Sequence, residues 1–285
     1  TGLKIDKKIF SLSKSDKFNK SCKKVSFKDN ISNKVYDLNI NKYNSSNNKL
    51  IKTKYNFLEY FYLFNNKLKL KNNSTRIDRN VFIPRGYEVI IDGGQEIILE
   101  NNSFIFSNSN WKIGHIDQKT HIHGTKENYG GGIIIYDNDK KSFITNCNFE
   151  YLAGLKASSF TTDNDFFEER LIFGSINLFQ TNVEIKNSVF KNINSEDAIN
   201  IISSKYLIEN VVFKKIKHDA IDIDFSDGKI INSNFINIGN DAIDFSGSNS
   251  EISFLNFNKV GDKGVSAGEN SLINIQNVKG NNSLI

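Results

Sequence analysis

Seven aspartates recur at nearly equal spacing in the second half of this 285-residue chain. Asp197, Asp219 and Asp241 stand 22 residues apart, and Asp262 follows after 21. A second set holds Asp222, Asp224 and Asp244; Asp222 and Asp244 are again 22 apart, with Asn200 one step before and Ser266 one step after. If that period is one turn of a repeating fold, each set becomes a row of stacked side chains. Crowded carboxyls resist ionising together, and like charges opposed in a sheet destabilise it. Two chemistries would justify such rows. A hard cation such as Ca²⁺ is held by carboxylates and turn carbonyls, which makes Asp219, Asp241 and Asp262 candidate metal ligands. Alternatively, one carboxyl serves as general acid and another as base or nucleophile on a glycosidic bond, which makes Asp222, Asp224 and Asp244 candidate catalytic residues. A plainer reading applies to the first row: an Asp in a turn accepts its own backbone N–H groups, and repetition copies the turn.

Basic partners are few. Lys263 follows Asp262 and Lys217-His218 precedes Asp219, so Lys263 is the candidate base and His218 a candidate substrate contact, with Asn200 and Arg170 as further candidate contacts. Arginine occurs only at Arg76, Arg79, Arg85 and Arg170, none inside the strict repeat. His121 and His123 would share one strand face with His115 nearby, but a zinc site needs a third ligand at compatible geometry. The two cysteines, Cys22 and Cys147, match neither a disulfide framework nor a zinc motif. Gly130-Gly131-Gly132 follows no strand-to-helix pattern and is no phosphate loop.

The elements that position these residues are set by the repeat. Asn-x-x-Phe occurs as Asn187…Phe190, Asn210…Phe213 and Asn232…Phe235, and the series continues in degraded form at Phe257 and Val278. Short β-branched or aromatic runs, such as Val211-Val212-Phe213 and Ile221-Asp222-Ile223-Asp224-Phe225, are broken by Asn, Ser, Gly and Asp. Three short strands in about 22 residues make one coil of a parallel β-helix, and coils must stack to bury their apolar side. Helical solenoid repeats run to about 33–47 residues with 3.6-periodic faces, which are absent here. Alternation along Ile221–Phe225 predicts Ile221, Ile223 and Phe225 inward and the aspartates outward. The asparagines are expected to form a ladder and the phenylalanines a stacked core column. Earlier segments such as Tyr87 to Gly94, a strand with a Gly turn, fit with looser spacing, and Ser158 to Arg170 interrupts the rhythm as a projecting loop. The fold class expected is all-β: a right-handed parallel β-helix over residues 76–285, behind an N-terminal capping region.

Residues 1–75 are basic and rich in Asn and Lys. Over residues 1–80 there are 19 Lys and Arg against 6 Asp and Glu, whereas the remainder carries 18 against 26. The lysines are scattered, with no basic helix face or RNP-type motif, so nucleic acid is not an expected partner. Asn41 to Lys49 reads as a linker or long loop. The aromatic run Tyr55–Phe64, strand or short amphipathic helix, is expected to cover one end of the solenoid. No apolar run is long enough for a transmembrane helix. A Thr-Gly start and the absence of Met suggest a processed piece of a larger protein with further domains.

From about Val81 onward the chain resembles the right-handed β-helix domains of the pectin-lyase-like superfamily, and within it bacterial surface proteins, some joined to CotH-type domains. Ser195-Glu196-Asp197-Ala198-Ile199-Asn200-Ile201-Ile202, Gly239-Asn240-Asp241-Ala242-Ile243-Asp244-Phe245-Ser246-Gly247-Ser248 and Gly261 to Glu269 carry the resemblance. It implies an extracellular or cell-surface module that binds a polysaccharide or another surface partner. The family's hydrolase motifs, Asn-Thr-Asp, paired Asp-Asp, Gly-His-Gly and Arg-Ile-Lys, are missing, and a fold does not fix a function. The rivals are a polysaccharide lyase, epimerase or glycoside hydrolase acting through the outward aspartates, and a structural spacer or adhesin. Exposed aromatics near the acids would favour carbohydrate; a uniformly polar face would favour the spacer.

Overall fold

The structure is a computed structural model that describes residues 24–28, 35–39, 56–154 and 174–283. The chain divides into two units, Thr1–Lys52 and Thr53–Ile285. Within the first, strands Lys24–Lys28 and Val35–Asn39 pair antiparallel. Cys22, the segment 41–49 and the segment 158–170 expected to project as a loop, with Arg170, lie outside the described residues.

The second unit is a parallel β-helix, as the repeat predicts. Each full coil contributes a strand to each of three faces, and one face holds nine strands in a single stack. One coil, for example, runs through Lys205–Glu209, Val212–Ile216 and Asp219–Asp224. Each strand pairs in parallel with its counterpart one coil on, Asp219–Asp224 with Ile243–Ser246 for instance. No single coil encloses apolar side chains on both sides, so stability comes from stacking. Along Asp219–Asp224 the alternation is visible: Ile221 and Ile223 are fully buried while Asp222 and Asp224 are half-buried on the outside.

The aromatic run resolves into both expected forms. Phe57–Tyr60 is a single helical turn and Phe61–Phe64 a strand antiparallel to Lys67–Leu70 of the first coil. Phe57 and Phe61 are buried, with the Phe57 ring 5.6 Å from that of Tyr87. Phe149, Phe190, Phe213, Phe235 and Phe257 form a stacked column with centroids 4.6, 5.1, 5.0 and 5.2 Å apart. Fully burying each such ring is worth about 1.5–3 kcal/mol. The column does not continue at Val278: Gly280, two residues on, pairs with Phe257.

The corners are built from residues of positive φ. Asn146, Asn187, Asn210, Asn232, Phe254 and Asn277 occupy one corner with φ between 50° and 56°. Asparagine tolerates the left-handed region better than most residues, and this backbone demand explains the column. A direct amide link joins Asn210 Nδ2 to Asn187 Oδ1 at 2.6 Å. Ser203, Phe225, Gly247 and Asn270 occupy a second corner, all with positive φ. Beside it runs a hydroxyl column that the repeat did not reveal. The Thr181, Ser204 and Ser226 N–H groups donate to Ser204, Ser226 and Ser248 Oγ of the next coil at 3.0–3.1 Å. These bonds satisfy corner N–H groups that the ladders leave free, and they fix where the neighbouring strands end.

The second corner overturns one expectation. Phe225 is not in the core but 69% exposed, with φ 49°. A left-handed residue turns the chain, so the alternation that places Ile221 and Ile223 inside stops at Asp224. The inward aromatic is Phe245, which pairs with Ile223.

Candidate functional site

The face made by Gly174–Lys186, Asp197–Ile202, Asp219–Asp224, Ile243–Ser246 and Ser266–Ala267 gathers the predicted acids. Its outward column reads Asn177, Asn200, Asp222, Asp244, Ser266, one residue per coil and in direct register. Neighbouring strands lie about 4.8 Å apart, so these side chains are vertical neighbours. A second column reads Tyr136, Phe179, Ile202, Asp224, Ser246. In earlier coils the same face is apolar, where Phe104, Phe106 and Ile134 cluster with Phe82, Tyr136 and Phe179. The face thus passes from aromatic through amide to acid along the solenoid. Phe225 stands at its edge, directly after Asp224, with its ring over Gly247, where a Cβ would come within 2.7 Å of it.

Burial dominates the electrostatics. Asp197 is 3% exposed and its carboxyl is pushed up to about 8, first by desolvation and then by the charge of Asp222. Asp222 is pushed up to about 7 by desolvation, with Asp224 and Asp244 adding to it. Asp224 is raised by burial and by Asp244. Asp219 is raised by burial against the opposing hydrogen bond from the Asp241 backbone. Asn200 links the two rows, its Nδ2 donating to Asp197 Oδ2 at 3.2 Å and to Asp222 Oδ2 at 3.4 Å.

The corner row has a different use. Asp219 Oδ1 accepts the Asp241 N–H at 2.9 Å and Asn240 Nδ2 at 2.7 Å; Asp241 Oδ1 accepts the Lys263 N–H at 2.7 Å. The Asp219 and Asp241 carboxyls therefore cap the next coil rather than their own turn, whereas Asp197 accepts from Asn200 of its own coil. The row continues at Lys263, not at Asp262. Lys263 donates its N–H to Asp241 as Asp241 does to Asp219, and the Lys263 carbonyl accepts from Ala242 as the Asp241 carbonyl does from Ala220. Asp262 instead follows Asn240, whose carbonyl accepts its N–H. The Lys263 ammonium pairs with Asp262 and with Asp241 Oδ2, the latter at 3.6 Å. These partners raise its pKa and hold the proton, the opposite of what a base requires. His218 is exposed at the corner just before Asp219. Among the described residues no group of three or more His, Cys, Asp or Glu is placed to hold a metal ion.

The face opposite in sequence order, where the phenylalanine column stacks inside, carries an open cavity of about 300 Å³ lined by His121, His123, Lys126, Asn148, Glu150 and Tyr151 among others. Two of its polar groups are paired within the chain, His123 Nε2 with Glu96 Oε1 at 2.9 Å and Glu150 with Lys191 at 3.0 Å and Asn192 at 2.9 Å, while Asn148 Oδ1 is buried without a partner among the described residues. His115 lies 3.4 Å from Asp117. Cys147 is a buried free thiol.

These features define a parallel β-helix with an acid-lined outer face. No protein-family model matches the chain, and no curated protein matches its sequence. Among solved structures it is similar to the periplasmic alginate epimerase AlgG, at 9% identity and a TM-score of 0.43, over 79% of this chain and 63% of that one. No helix among the described residues is long and apolar enough to cross a membrane.

Proposed function

We propose that the chain is an extracellular or cell-surface module that binds a polysaccharide along the face of Asn200, Asp222, Asp224 and Asp244. The observation that carries this reading is the exposed Phe225 ring beside the outward acids. An aromatic face packs on the apolar side of a sugar ring, while carboxyl groups accept from its hydroxyls, the mixture of apolar wall and few polar groups that ligand sites use. The solenoid also sets Asp222 and Asp244 in register on successive coils, which suits a polymer that repeats. Calorimetric titration of neutral, acidic and amino oligosaccharides tests it. Phe225→Ala is expected to weaken binding about tenfold, yet to change stability by no more than about 0.5 kcal/mol, as surface substitutions do. Unchanged affinity in that variant would remove Phe225 and this face from the reading.

A second reading, cleavage of the bound polymer, is favoured by one observation: Asp222 holds its proton up to about 7. A carboxyl protonated near neutrality is the general acid a glycosidic bond requires, with Asp244 or Asp224 as base or nucleophile. New reducing ends or unsaturated products, lost in Asp222→Asn and Asp244→Asn, would make the module a glycoside hydrolase or polysaccharide lyase. No product from any polymer, with calcium or with chelator, would leave binding alone.

A further inference from the structure

The open cavity beside Thr120–His123 and Cys147–Glu150 leaves free the charge that the acid face lacks. His121 and Lys126 line it, and among the described residues neither side chain has a hydrogen bond or ion pair. The acids around it are taken up. Glu96, in register with His121, is held by His123 at 2.9 Å and by Ser74 at 2.6 Å, and Glu150 by Lys191 and Asn192. Glu127, next to Lys126, is exposed and does not line the cavity. What remains for a ligand is positive charge and N–H groups. The walls are preorganised. Lys126 stands on the loop from Gly124 to Gly130, whose end N–H groups donate to Glu150 and Tyr151 carbonyls, each at 3.0 Å. Inside the loop the Thr125 N–H donates to the Asn128 carbonyl at 2.8 Å, and the Asn128 N–H to Thr125 Oγ1 at 3.0 Å. Tyr151, which also lines the cavity, holds φ 53° at a corner where later coils place Asn192, Lys215, Asn237 and Lys259. A bulky aromatic in the left-handed region is strained, and this one sets its ring edge-on to Tyr129, 5.7 Å away at 89°.

We propose that this cavity binds one sugar residue carrying a sulfate or phosphate group, with the oxyanion on Lys126 and His121 and the sugar ring against Tyr151. The site is independent of the acid face. Its volume of about 300 Å³ stands at the small end of ligand pockets, room for a single residue rather than a chain. An aromatic wall suits the apolar side of a sugar. Glu150, although paired, keeps lone pairs for sugar hydroxyls, since an ionised carboxylate accepts at about four sites. A tetrahedral oxyanion offers acceptors in several directions, so it meets an ammonium from the loop and a ring N–H from the strand together. A planar carboxylate is gripped best by the fork of an arginine, and none of the four arginines lines the cavity.

The test is calorimetric titration of the intact chain with glucose 6-sulfate, glucose 6-phosphate, glucuronate, glucose and inorganic phosphate. At least one ester is expected to bind about tenfold tighter than glucose, as charge-assisted hydrogen bonds exceed neutral ones, and the tighter ester identifies the group. Lys126→Gln should close that gap. Lys229→Gln, which removes an equal charge from another face where Lys229 pairs with Glu251, should keep it. Tyr151→Asn, which gives this corner the residue type of Asn192 and Asn237, should reduce the ester to the affinity of inorganic phosphate. Circular dichroism checks that each variant folds. Glucose or glucuronate binding as tightly as both esters would overturn the oxyanion subsite, and inorganic phosphate binding as tightly as both would overturn the sugar. Equal losses in Lys126→Gln and Lys229→Gln, or no binding of any probe, would overturn the site altogether.

Discussion

Phe213→Ala is expected to destabilise the solenoid by about 3–5 kcal/mol, the cost of truncating a buried phenylalanine. Its ring is fully buried at mid-column, 5.1 Å from Phe190 and 5.0 Å from Phe235, with interplanar angles of 12° and 5°. The coils above and below are pinned by ladders through Val212–Ile216, so the walls cannot close on the space left behind. Phe257→Ala should cost less, because Gly280 lies beyond it and offers no ring to lose. Urea unfolding reads both, and hydrogen exchange shows where the loss falls, since each coil contacts only its neighbours. A loss below about 1 kcal/mol for Phe213→Ala, well under the usual cost of such a truncation, would mean that the stacked column is not the spine of the fold.

Stability should also fall as pH rises from the acid side toward neutrality, opposite to the behaviour of ordinary paired carboxylates. Asp197 and Asp222 have pKa values raised to about 8 and about 7 in the folded chain. Below about pH 4, the unfolded carboxyl range, both states hold these protons and neither residue changes stability. Above it the unfolded chain loses protons that the folded chain keeps, so stability falls by up to about 1.4 kcal/mol per group for each pH unit. The loss ends once the folded carboxyls have ionised, above about 8 for Asp197. The two sites interact, so the fall belongs to the pair. Asp197→Asn removes the larger part of it, and is expected to be more stable than the parent at neutral pH by a few kcal/mol, with a flatter profile. Thermal unfolding across this range checks the sign. Because Glu88, Glu96 and Glu184 are lowered and act in the opposite sense, the comparison decides: a variant that falls in parallel with its parent would show that the Asp197 carboxyl is not desolvated.

The stacking of Asn200, Asp222, Asp244 and Ser266 was legible because a period of 22 and an alternation of two suffice to fix it. Corners were not. The assignment of Phe225 to the core extended the alternation through a residue that turns the chain. A signal was present: Ser203, Gly247 and Asn270 stand at the equivalent position, and these types suit tight corners. Phe254 makes the same point at the asparagine corner, where it is 57% exposed. The placement of Asp262 in the acid row failed for a related reason. Its step of 21 rather than 22 already displaced it by one, and backbone register, not residue type, seats Lys263 there. Asn200 Oδ1, buried without a hydrogen-bond partner among the described residues, had no sequence signature, since it depends on which neighbours turn their donors elsewhere.

The most direct test of the acid face is hydrogen-exchange footprinting of the intact chain with and without a saturating oligosaccharide that binds in the titrations. The account predicts slowed exchange in Asp197–Ile202, Asp219–Asp224 and Ile243–Ser246, together with the corner at Phe225. Protection centred instead on Thr120–His123 and Cys147–Glu150, at the cavity of His121 and His123, would contradict it and move the binding site to the other face.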